Sequence, residues 1–166
     1  MKKPTVYLDT SIISAYWYDG TNVLGLARRV KTRDWWENES QNFAVWVSAV
    51  AENELISGEF RRQIECLRFV RRLNFLPITK ESRDLAAVLV DAGVVPESKP
   101  ADALQVAIST AIRTDYLLSW NYAHLTNLDV QRRLEAICSR RQMRAPSLVS
   151  PETIPRKMLG QVIRRP

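Results

Sequence analysis

An α/β/α sandwich around a mostly parallel sheet is the fold this sequence predicts, and three observations carry it. Short, nearly unbroken apolar runs such as Val6-Tyr7-Leu8 and Phe43-Ala44-Val45-Trp46-Val47 read as strands covered on both faces. Longer segments with apolar residues at helical spacing follow them. Strands and helices then alternate along the chain, the pattern of helical crossovers between parallel strands. At 166 residues one domain is expected, spanning 1–166 with a basic tail from about residue 154.

The first strand ends in Asp9-Thr10-Ser11, one charge and two hydroxyls where a helix can begin. Ile12 to Trp17 starts that helix, which breaks near Asp19-Gly20. Asn22 to Glu39 reads as a second helix, with Leu24, Ala27 and Val30 as its apolar stripe. Of Trp35 and Trp36 near its end, at least one is expected in the core, although either could stack on a base. Ser48 is the expected N-cap after the second strand. On the helix that follows, Val50, Ala51, Glu54, Leu55 and Gly58 share one face, whereas Glu52 points away into solvent. A glutamate on an apolar stripe needs something to compensate its charge, so Glu54 is a candidate functional residue.

Phe60, Ile64, Leu67, Val70 and Leu73 suggest another amphipathic helix, with Arg61, Arg62, Arg68, Arg71 and Arg72 on a solvated face. Phe75 to Ile78 is a short strand, and Lys80 to Ala92 a helix closed by Gly93. Pro96 and Pro100 mark Val94 to Ala101 as a loop. Asp102 to Thr114 is the clearest helix, its small apolar stripe suited to packing on a sheet. Tyr116 to Trp120 is a central strand followed at once by Asn121. A helix from Leu128 toward Arg141 and a short strand at Ala145 to Val149 complete the fold.

Composition narrows the function. No apolar run reaches the ~18 residues of a membrane span, and Asp9 interrupts any signal-peptide core, so a cytoplasmic protein is expected. Cys66 and Cys138 read as reduced thiols. A net charge of +6 and a pI near 9.6 favour a polyanionic partner, nucleic acid before membrane surface. There is no G-x-S-x-G, no G-x-G-x-x-G and no Walker motif, and neither cysteine has a histidine nearby in sequence.

On the predicted architecture Asp9, Glu54, Asp102 and Asn121 all reach the carboxyl edge of the sheet, where open α/β sheets bind ligands. Asp115 lies roughly 20 Å away at the opposite edge. Three converging carboxylates repel one another unless a cation sits among them. Oxygen-only donors favour Mg²⁺ or Mn²⁺ over zinc. On a basic protein, such an ion would bridge the carboxylates to a substrate phosphate.

Tyr7-Leu8-Asp9-Thr10-Ser11, Val47-Ser48 through Glu54-Leu55 with Gly58, Ala101-Asp102-Ala103-Leu104, Leu118-Ser119-Trp120-Asn121 and Pro151-Glu152 resemble, in order and spacing, the PIN-domain ribonucleases. The likeness is to the VapC-like toxins of type II toxin–antitoxin pairs. It implies a PIN-like fold and a Mg²⁺- or Mn²⁺-dependent endoribonuclease, often a homodimer, inhibited by a small antitoxin that enters the active-site groove. Asp9, Glu54 and Asp102 match the family's first three acids and its metal ligands. Thr10 or Ser11 matches a supporting hydroxyl that orients the first acid or a metal-bound water. The fourth position, usually aspartate, is Asn121 here; an amide oxygen can ligate a hard ion or its water but adds no charge. One divalent ion is therefore expected to bind well and a second poorly. His124, three residues on, is expected to be structural.

Other readings remain beside this one. A catalytically weak RNA- or antitoxin-binding protein of the same fold is the main alternative, and the metal chemistry alone admits DNA as a substrate. Aspartyl-phosphate chemistry on Asp9, as in haloacid-dehalogenase-like enzymes, falls behind because Ser11 stands where a second aspartate is needed.

Overall fold

The structure, a computed structural model, describes residues 2–156. Among these residues five parallel strands form one sheet: β1 (Thr5–Leu8), β2 (Ala44–Ser48), β3 (Asn74–Leu76), β4 (Tyr116–Leu118) and β5 (Ser147–Val149). Their order is β3-β2-β1-β4-β5, so the apolar first strand is the central one. The chain builds outward from β1 on one side and then returns to its other side. This reversal puts a switch point between β1 and β4, the place where parallel sheets open a binding crevice.

Among the described residues seven α-helices cover the two faces: α1 (Thr10–Tyr16), α2 (Val23–Asn38), α3 (Ala49–Ser57), α4 (Gln63–Val70), α5 (Lys80–Asp91), α6 (Pro100–Ala111) and α7 (Leu128–Arg140). The two-residue period of β1 divides its side chains between two cores. Val6 and Leu8 join Ile12, Ile13, Trp35, Leu55 and Val70 from α1 to α4. Tyr7 joins Leu85, Leu89, Val106, Ile108 and Leu134 from α5 to α7. This is a three-layer α/β/α sandwich. Cys66 and Cys138 are both buried and unpaired, and they lie in opposite layers, so the sheet stands between them.

Local chemistry sets most of the helix ends. Ser48 caps α3 by accepting the Val50 N–H. Thr79 and Ser82 form a capping box at the start of α5. Gly93 follows α5 at φ +67°, a left-handed conformation that costs glycine little.

Several expectations shift. Pro100 does not hold the loop open to Ala101 but occupies the first turn of α6, where its missing N–H costs no helical bond. Asp102 is thereby in the first turn, and the helix ends at Ala111 rather than Thr114. On α4 the buried residues are Cys66 and Val70, whereas Ile64 is exposed; Phe60 and Leu73 flank the helix instead of belonging to it.

On α2 the stripe of Leu24, Ala27 and Val30 faces solvent, and Thr32 and Trp35 are the buried residues. The reason is polar. Arg33 donates to the Tyr16 carbonyl at the C-terminus of α1, an acceptor that a helix end leaves open, and Arg29 to the Tyr18 carbonyl just beyond it. Trp35 does enter the core, and Trp36 packs beside it against Phe69. Of the basic tail, Ile154 is buried and Arg156 pairs with Asp34 at 2.9 Å; the remainder lies outside the described residues. No helix among the described residues is long and apolar enough to cross a membrane.

Candidate active site

The carboxyl edge gathers the predicted residues from four separate elements. Asp9 leaves β1 and caps α1, Glu54 comes from α3, Asp102 from the first turn of α6, and Asn121 follows β4. Together with Thr10 and Ser11 they line one open cavity of about 570 Å³. Each acid is held by its own hydroxyl or amide. Ser11 and Ser119 donate to Asp9 Oδ2 at 2.5 and 2.6 Å, and Thr10 donates to Glu54 Oε2 at 2.6 Å. Asn121 Nδ2 donates to Asp102 Oδ2 at 2.9 Å, while its Oδ1 accepts the His124 backbone N–H at 3.1 Å. In this arrangement the Asn121 amide orients Asp102, and both of its ends are engaged.

Glu54 and Glu52 separate as the helical period requires. Glu54 is turned into the cavity, and Glu52 forms a surface ion pair with Arg71 at 2.6 Å. Glu52 is therefore paired rather than simply solvated. His124 does not line the cavity; its neighbours Tyr122 and Ala123 do. The arginines around α4 behave as a surface face: Arg61 and Arg62 pair with Asp19 and Glu65.

Two site residues escaped the sequence reading. Gln105, fully buried on α6, donates from Nε2 to Asp9 Oδ1 at 3.0 Å and to Glu54 Oε2 at 2.9 Å. Its own Oε1 accepts from the Tyr7 hydroxyl at 3.3 Å, which is also within 2.7 Å of Ser48 Oγ. Burial raises the Tyr7 hydroxyl far above its ordinary value, so it remains a proton-bearing donor. The available signal was a glutamine three residues after Asp102 in an apolar helix. Ser119 is the second, buried between Asp9 and Asn121 and accepting the Asn121 backbone N–H at 2.9 Å. Its marks in the sequence were a serine directly after the apolar fourth strand and its place in the Leu118-Ser119-Trp120-Asn121 segment.

The site is electrostatically loaded. Among the described residues no Lys, Arg or His comes within ion-pair distance of Asp9, Glu54 or Asp102. Burial and the Asp9 charge push the Asp102 carboxyl up to about 6, against the opposing pull of Lys99 and Asn121. Burial, with the charges of Asp9 and Asp102, also raises Glu54, although the Thr10 hydrogen bond works against it.

This donor set suits a hard divalent cation in chemistry: oxygen atoms, uncompensated negative charge and an open cavity. It is not a finished cage. Among the described residues no group of three or more His, Cys, Asp or Glu side chains is placed to hold a metal ion. The Gln105 amide bridges Asp9 and Glu54, and the Asn121 amide occupies one oxygen of Asp102. Binding an ion would require the carboxylates to exchange some of these donors for it. Neither a protein-family model nor a curated protein matches the chain.

Proposed function

We propose that this chain is a Mg²⁺- or Mn²⁺-dependent endoribonuclease that hydrolyses RNA phosphodiester bonds at the Asp9–Glu54–Asp102 cavity. The observation that carries this reading is the set of three carboxylates in one cavity at the sheet's switch point, with no cation paired to them among the described residues. Carboxylates left in that state raise the free energy of the site until a cation joins them. Asp9, Glu54 and Asp102 would hold the ion, which when bound polarises the phosphoryl oxygens and makes water a better nucleophile. Ser11 and Ser119 fix the face that Asp9 presents, Thr10 does so for Glu54, and Asn121 for Asp102. The net charge of +6 favours a polyanionic substrate despite the acidic cavity.

In keeping with the resemblance to VapC-like PIN-domain proteins, we further propose a cytoplasmic toxin. Its partners would be a small antitoxin and a second copy of the chain. The Gln105 bridge favours one other reading, a catalytically weak RNA- or antitoxin-binding protein, because it already satisfies the two acids without metal. Incubation with single-stranded RNA separates the two. The nuclease cuts with Mg²⁺ or Mn²⁺, stops in EDTA, and loses activity in Asp9→Asn. Equal RNA binding with and without EDTA, and no products, would sink it.

A further inference from the structure

A second cavity, of about 320 Å³, opens beside the acidic one. Such a volume falls in the range of small-molecule sites. Ser11, Ser14, Arg28, Phe60 and Trp120 line both, so the two form one continuous depression. Tyr18, Glu59 and Arg61 also line it, and Arg61 is paired with Asp19.

Arg28 is the unusual residue here. Arg29 and Arg33 on the same helix donate to the Tyr18 and Tyr16 carbonyls, but the Arg28 guanidinium has no hydrogen bond and no carboxylate partner among the described residues. Its Nε is buried without an acceptor. Arg28 as a whole is half-buried, and a buried N–H of a charged group left without an acceptor is costly; an anion seated on the guanidinium would relieve it. The group is also held in place. It lies 5.6 Å from the centre of the Trp120 ring, and that indole is fixed by its hydrogen bond to Thr32 Oγ1 at 2.8 Å. The Trp120 backbone N–H in turn donates to Ser11 Oγ at 2.9 Å, the hydroxyl that holds Asp9. One scaffold thus positions both the first carboxylate and the unpartnered guanidinium.

We propose that this second cavity is a nucleotide subsite, in which Arg28 grips an RNA backbone phosphate next to the bond held at the carboxylates. The attached base lies against Phe60 and Tyr18, both half-buried, with Ser14 and Glu59 available to its polar edge. The planar guanidinium fork matches phosphate oxygens two at a time. The mixture of the Arg28 guanidinium, unpaired among the described residues, and an aromatic wall favours a nucleotide over a simple anion. This assignment rests on the ribonuclease reading for its place in a reaction, but its binding chemistry can be tested without turnover.

The test is calorimetric titration of the full chain, in EDTA, with the four ribonucleoside 5′-monophosphates and with ribose 5-phosphate. At least one monophosphate should bind more tightly than ribose 5-phosphate. Arg28→Met should weaken both ligand classes by about tenfold or more, and Arg28→Lys by less, because it keeps the charge but not the fork. Phe60→Ala should erase the preference for the base-bearing ligand. Thermal melting confirms folding, and if Arg28→Met unfolds, Arg28→Lys decides. With RNA and Mg²⁺, Arg28→Lys should raise KM more than it lowers kcat. Arg28-dependent monophosphate binding without any RNA cleavage refutes the nuclease and leaves the subsite. RNA cleavage with wild-type KM and wild-type monophosphate affinity in the folded Arg28 variants overturns the subsite and leaves the nuclease. Binding of oligoglutamate more tightly than any monophosphate also overturns it, in favour of an acidic protein segment.

Discussion

The two ends of the sheet treat aspartate in opposite ways. At the amino edge Asp115 accepts from the Thr5 backbone N–H at 2.8 Å and Thr5 Oγ1 at 2.9 Å, and pairs with Arg144 at 3.1 Å. Burial alone would push its carboxyl up, but the Thr5 hydrogen bonds and the Arg144 charge outweigh it and hold it below the ordinary range. At the carboxyl edge Asp102 has one amide donor and two neighbouring acids, and it is pushed up to about 6. One aspartate is matched to its surroundings and braces β1 against β4. The other is left mismatched, at a cost to the fold. Carboxylates perturbed in this way within a cleft are found preferentially at functional sites.

The sharpest way to break this comparison is to neutralise the mismatched end. Asp9→Asn or Asp102→Asn should lower metal-dependent RNA cleavage by about 100-fold or more, measured with single-stranded RNA. Glu54→Gln should do comparable damage. Asp102→Asn should also raise the melting temperature of the metal-free protein by about 2–4 °C, since it removes a buried, repelled charge. Wild-type cleavage in these variants would move the site elsewhere.

Adding charge at the same end sharpens the contrast. Asn121→Asp exchanges an amide donor for a fourth carboxylate, and should tighten Mg²⁺ binding roughly tenfold in a calorimetric titration. The same change should lower stability without metal. If Asn121→Asp and Asn121→Ala both bind Mg²⁺ like the wild type, residue 121 lies outside the metal shell.

At the matched end the effect is reversed. Asp115→Asn should lower the melting temperature by about 2–6 °C through lost charge-assisted bonds, with RNA cleavage unchanged. The pH dependence carries the same opposition. Folded Asp102 keeps its proton up to about pH 6, against 3.8 ordinarily. Between those values the folded state binds more protons, so its contribution to stability falls as pH rises. Asp115 is lowered, so its contribution is present at neutral pH and lost as pH falls through its folded value. Melting curves of Asp102→Asn should therefore lose the decline between about pH 4 and 6, and those of Asp115→Asn the acid-side loss. The smallest effect belongs to Glu52→Gln, which breaks a surface pair worth less than about 1 kcal/mol and should leave cleavage intact.

What the amino-acid order determined by itself is local. The alternation of apolar runs and helical stripes was enough for a parallel three-layer sandwich, because strand burial and helical period depend on residues a few positions apart. The same short-range geometry turned Glu54 inward and Glu52 outward, and put Asp9 and Asn121 just beyond the carboxyl ends of β1 and β4. Tertiary structure decided the rest. The apolar stripe of α2 lost to Arg29, Arg33 and Thr32, because the Tyr16 and Tyr18 carbonyls and the Trp120 indole needed hydrogen-bond partners. Gln105 meets Asp9 across 96 positions of sequence, and Arg28 meets Trp120 only once α2 lies against the end of β4. Polar side chains take their partners from whichever elements pack beside them, and no periodicity within one element can name a partner in another.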